Sequence, residues 1–129
     1  VRQFGCCLLV DCHSMPAQVP PLGRPRQAEV VLGDAHGTSC AALATRRVEE
    51  GLGRLGLAVR RNEPYAGGYV TRHYGRPREG VHALQIELAR SLYMDEVRIE
   101  RGSGFATLQR DLTRLIKELT ALDWAALRP

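Results

Sequence analysis

Apolar and polar positions recur along this chain with periods that divide it into strands and helices. Residues 4–12 are a nearly continuous apolar run, the pattern of a buried strand. Residues 14–28 hold Pro16, Pro20, Pro21 and Pro25 and read as a loop. Val30–Gly33 predicts a short second strand, and residues 34–39 a turn of small polar residues. Thr38 or Ser39 can cap a helix running to about Arg54, with Leu43, Val48, Leu52 and Leu55 on or near one side. Leu57–Arg61 predicts a third strand. Residues 62–80, with four glycines, two prolines and three tyrosines, read as an ordered loop. In Val81–Leu88, Leu84, Ile86 and Leu88 alternate with Ala83, Gln85 and Glu87, which predicts a strand followed by a turn or loop over 89–96. Phe105, Leu108, Leu112, Leu115, Ile116, Leu119 and Leu122 recur at steps of three and four, with Ser103 as N-cap, and predict an amphipathic helix. Strands alternating with helices give an α/β layered sheet.

A length of 129 residues fits one domain, residues 1–129, with room for a real core. No apolar run approaches the roughly 20 residues that cross a bilayer, so no membrane partner is expected. The chain opens on Val1 in mid-pattern, which predicts a fragment without its natural N-terminus. Net charge is +4, and every basic residue except Lys117 is an arginine. These arginines are interleaved with acids, and aromatics make up only 5%, so no nucleic-acid partner is expected. Cys6, Cys7, Cys12 and Cys40 show no C-x-x-C spacing; reduced thiols in a cytoplasmic protein are the expectation.

Three clusters could carry chemistry. Asp11 and His13 share a face where the first strand is predicted to end, the edge of an open α/β sheet at which ligands collect. His13 is there a candidate metal ligand or base; a polar strand end satisfying its own hydrogen bonds is the plainer alternative. The second cluster, Asn62–Gly75, surrounds Gly67-Gly68 with Tyr65, Arg72 and Tyr74, and reads equally as a pocket lining or a surface loop. The third is Glu87, opposite the apolar face of its strand. It can move protons if it lies in a cleft, and is a solvated edge residue otherwise.

The motifs Asp11-x-His13-Ser14-Met15-Pro16, Leu32-Gly33-Asp34-x-x-Gly37-Thr38-Ser39-Cys40, Asn62-x-Pro64-Tyr65-Ala66-Gly67-Gly68, Tyr74-Gly75-Arg76-Pro77 and His82-Ala83-Leu84-Gln85-Ile86-Glu87 through Leu92-Tyr93-Met94 occur in that order. Together, over residues 4 to 97, they resemble the N-formylglutamate amidohydrolase family. The resemblance implies a partial three-layer α/β/α sandwich with a mixed sheet, zinc-carboxypeptidase-like, its N-terminal part missing. It implies hydrolysis of N-formyl-L-glutamate to formate and L-glutamate in histidine degradation, with a small-molecule N-acyl amino acid as substrate. Zinc is the implied cofactor, with His13 as one ligand and Asp11 and Ser14 supporting it. Glu87 matches the glutamate that activates water. Asn62, Tyr65, Gly67, Gly68, Arg72, Tyr74 and Arg76 become candidate substrate contacts, since guanidinium groups suit carboxylates. The family's early His-x-Gly and Asn-Arg motifs have no counterpart here, so further ligands are expected upstream of Val1. His36, His73 and His82 have no convincing ligand spacing with His13. A non-catalytic remnant acting as a binding module, or a deacylase for another N-acyl amino acid, are the alternative readings.

Overall fold

The computed structural model describes residues 1–17 and 28–129. Pro20, Pro21 and Pro25 of the predicted proline loop lie outside the described residues. Four strands form the main sheet: β1 (Cys7–Met15), β2 (Val30–Gly33), β3 (Val59–Arg61) and β4 (Val81–Ala89). Their order is β1-β4-β2-β3. β1 runs parallel to β4, β2 antiparallel to β4, and β3 parallel to β2, so the sheet is mixed. The chain is an α/β fold.

β1 differs from the predicted strand 4–12 at both ends. It starts at Cys7 and continues through Asp11, Cys12, His13 and Ser14 to Met15, because β4 offers a backbone ladder along the whole stretch. Asp11 and His13 therefore sit inside the strand rather than at its end. β2 has the predicted bounds, and all four of its residues are buried.

The even-numbered residues of β1, β2 and β4 face the main core, with Val59 of β3 beside Val30. Val30, Leu32 and Leu84 pack there against Ala44, Val48 and Leu52 of α1 (Ala42–Arg54) and Leu115 of α3 (Phe105–Thr120). Neither helix takes the predicted cap. The Thr38 hydroxyl donates to Ala35 O and the Ser39 hydroxyl to Ala83 O. Ala41 occupies the N-cap position of α1, and its N–H donates to Nδ1 of buried His82. Gly104 rather than Ser103 is N-cap of α3.

The other face is covered in part by residues 62–68 and α2 (Tyr69–Tyr74), a short helix within the predicted loop. After β4, a 3-10 turn at Arg90–Leu92 leads to a hairpin of β5 (Met94–Asp95) and β6 (Glu100–Arg101). Among the described residues, no helix is long and apolar enough to cross a membrane.

Candidate active site

Parallel, in-register pairing of β1 with β4 sets Asp11 opposite Gln85 and His13 opposite Glu87. Residues paired this way project from the same face, so the four polar side chains form a two-by-two cluster on the face away from the main core. His13 Nε2 lies 3.0 Å from Asp11 Oδ1, and His13 Nδ1 lies 4.0 Å from Glu87 Oε1. Gln85 Nε2 donates to Glu87 Oε1 at 2.8 Å. The His13 side chain is 48% exposed and that of Glu87 only 9%. The imidazole is thus held by a carboxylate and open to solvent, while the glutamate beside it is withdrawn from water. One wall is apolar: Met15, Val31 and Ala89 cluster on this face, with Tyr65 packed against them. Val31 is the β2 partner of Glu87.

Ser14 does not join the cluster. Strand alternation turns it to the opposite face, where its hydroxyl oxygen faces Arg90 Nε at 3.4 Å. Arg90 directly follows β4 and was not among the sequence candidates, since an arginine after a strand carries no distinctive pattern.

The Asn62–Gly75 segment divides. Asn62 is consumed internally: its Oδ1 accepts from the N–H groups of Asp34 and His36, and its Nδ2 donates to Asp34 Oδ1. Asp34 Oδ1 also accepts from Gly37 N, and its Oδ2 from the Thr45 hydroxyl. Asn62 pins the loop rather than presenting an amide to a ligand. Gly67 and Gly68 lie where the loop crosses the sheet. A Cβ on Gly33 would come within 2.6 Å of Gly67 N, and one on Gly68 within 3.2 Å of Gln85 Oε1. The smallness of Gly33 and Gly68 lets the loop backbone rest on β2 and β4 beside the polar cluster.

Arg72 and Tyr74 are exposed on α2, and no hydrogen bond or ion pair among the described residues joins them to His13 or Glu87. The Arg76 guanidinium donates to the carbonyls of Arg72 and Gly75. His73 stacks on Tyr69 and meets Tyr74 edge-on. His82 is sealed in the core, with Nε2 against Leu127 O. His36 sits in the exposed turn after β2.

The cluster offers one imidazole and two carboxylates, yet among the described residues no three side chains of the ligating types are disposed to hold one metal ion. Asp11 occupies His13 Nε2 and Gln85 occupies Glu87 Oε1, so the donors present are turned toward each other. They do not by themselves fit a zinc site.

A family model described as N-formylglutamate amidohydrolase matches residues 1–94. An N-formylglutamate deformylase of Pseudomonas aeruginosa is 43% identical over 95 residues, 73% of this chain and 36% of that one. One of Pseudomonas putida is 38% identical over 96 residues, 74% of this chain and 36% of that one. The crystal structure of an N-formylglutamate amidohydrolase from Ralstonia eutropha superposes with a TM-score of 0.82 at 42% identity, covering 92% of this chain and 44% of that one. The chain spans about a third of the length of the deformylases it matches.

Proposed function

The chain belongs to the N-formylglutamate amidohydrolase family, and from that premise we propose that it serves the hydrolysis of N-formyl-L-glutamate to formate and L-glutamate. The observation that carries this reading is the His13–Glu87 rung, with Asp11 and Gln85 one step along the same face. An amide is a poor electrophile and neutral water a poor nucleophile, so a base must take the water's proton and return it to the leaving nitrogen. Glu87 is assigned that role. As the water oxygen bonds to the formyl carbon, one proton passes to Glu87; as the C–N bond breaks, it passes on to nitrogen. Asp11 holds the His13 ring in place. Tyr65, Gly67 and Gly68, beside the cluster, are the assigned pocket residues, with Arg72, Tyr74 and Arg76 reserved for the substrate carboxylates. The histidine-degradation role and a cytoplasmic setting are part of the same proposal.

Zinc remains the proposed cofactor, with His13 as one ligand. Because the described donors complete no set for it, the steps above run through the chain's own groups only. The assignment of His13 is tested by titrating zinc into the purified protein: His13→Ala should weaken binding, and equal affinity in both forms would count against it.

The test of the reaction is formate release from N-formyl-L-glutamate by the unmodified chain, Glu87→Gln and His13→Ala. We expect Glu87→Gln to lower kcat on the order of a hundredfold or more with the fold retained. Full turnover in both variants would sink the assignment. A second reading, a non-catalytic binding module, is favoured by the incomplete set of ligating side chains around His13 among the described residues. It is the outcome if the unmodified chain binds N-formyl-L-glutamate without hydrolysing it.

A further inference from the structure

We propose that Gln85 is the positioning residue for Glu87, fixing which carboxylate oxygen is tied to the sheet and which is free to exchange a proton. The proposal rests on the reading of Glu87 as the base in amide hydrolysis and goes one residue beyond it.

Gln85 and Glu87 are two residues apart on β4, which lies between β1 and β2, so their side chains leave the same face about 7 Å apart at the backbone. Both are buried, at 4% and 7% exposure. An ionised carboxylate can only accept hydrogen bonds, so the Gln85 amide must offer its NH2 to Glu87. That is the arrangement present, Nε2 to Oε1 at 2.8 Å. The amide oxygen is thereby turned the other way, against Gly68. Gln85 Oε1 is the buried side-chain atom without a hydrogen-bond partner among the described residues.

Packing alone does not account for this choice. A methionine or leucine would fill the same volume without a stranded acceptor, and an unpaired buried acceptor destabilises. What glutamine adds is the donor to Glu87. His13 Nδ1, at 4.0 Å, faces the same oxygen that Gln85 holds. Glu87 Oε2 has no hydrogen-bond partner among the described residues. One oxygen is therefore anchored and the other left to work. Without the amide, the carboxylate turns about its last torsion, a broad and soft one, and the proton-exchanging oxygen is no longer aimed.

The test pairs kinetics with a readout independent of turnover. Gln85→Met keeps length and volume while removing the donor. We expect kcat for N-formyl-L-glutamate to fall on the order of tenfold to a hundredfold, the worth of a hydrogen bond to a charged group. KM should stay within about threefold. On a Glu87→Gln background the same change should cost little more, because both act through one group. Additive losses, or a rise in KM alone, would overturn the proposal. In the unmodified chain, the Gln85 side-chain amide signals in a 15N NMR spectrum should move on Glu87→Gln while backbone signals of β2 and β3 do not. Signals that ignore the substitution would also overturn it, even if Gln85→Met failed to fold. An unmodified chain without turnover counts against the proposed function, and the NMR response then decides the Gln85–Glu87 link on its own.

Discussion

Asp34 organises more of this molecule than its single buried carboxylate would suggest. It gathers Gly37, Asn62 and Thr45 into one network at the end of β2. Cys40, buried nearby, feels it too. Burial pushes the Cys40 thiol up to about 11, the Thr45 hydrogen bonds work against that rise, and the Asp34 charge adds to it. At pH 8 the thiolate fraction is then on the order of 0.1%. We expect alkylation of the folded protein at pH 8 to label exposed Cys12 and spare Cys40 until denaturant is added, as read by mass spectrometry. The sign of the pH effect follows from linkage. The unfolded thiol loses its proton near 9.0 and the folded one near 11, so the folded state holds the extra proton between them. Its contribution to stability is intact below about 9 and declines as pH rises to about 11. Chemical denaturation at pH 8 and 10.5 should show that decline and its disappearance in Cys40→Ala. Asn62 illustrates the limit of reading residues singly. Its type and its glycine-rich neighbourhood were visible in the sequence, but not that Asp34, 28 positions earlier, would take both ends of its amide.

Elements with a sustained period were legible in the sequence, and short ones were not. The alternation over 81–88 gave β4 and the correct faces for Gln85 and Glu87. The three-and-four spacing gave α3. α2 was hidden because it is six residues long and buries only Thr71, too little for a period to emerge. The β5–β6 hairpin consists of two-residue strands, and such pairs have no pattern of their own. Candidate caps failed because Thr38 and Ser39 spend their hydroxyls on Ala35 and Ala83, long-range choices in the second case. The loop of residues 62–68 depends on β2 in a way that a substitution can expose. A Cβ on Gly33 would meet backbone atoms of Gly67 and Ala66 at 2.6 and 2.7 Å, and backbone cannot swing aside like a side chain. Gly33→Ala should destabilise by roughly 1–3 kcal/mol, the cost of overpacking. Amide exchange in 62–68 should rise with it. An unchanged denaturation midpoint would contradict this account of the glycine.

At the scale of the whole molecule, the sheet is unequal at its two sides. Among the described residues β1 is an edge strand of nine residues, with Leu9 and Val10 more than a third exposed. Beside it runs an apolar groove of about 490 Å³, lined by Cys6, Leu8, Val10, Ile116, Leu119 and Trp124 among others. Long apolar edges invite pairing with other chains unless a charge interrupts them. We expect the mass measured by light scattering to rise with concentration, and Val10→Lys to suppress the rise. A strictly monomeric unmodified chain at high concentration would refute this. The same asymmetry bears on the His13–Glu87 rung. Among the described residues, Glu87 belongs to a strand paired on both sides, whereas His13 hangs from a single ladder. Local opening begins where the ladder is thinnest. Fraying of β1 would therefore carry the imidazole away while the core still stood, so loss of the site need not coincide with loss of the fold.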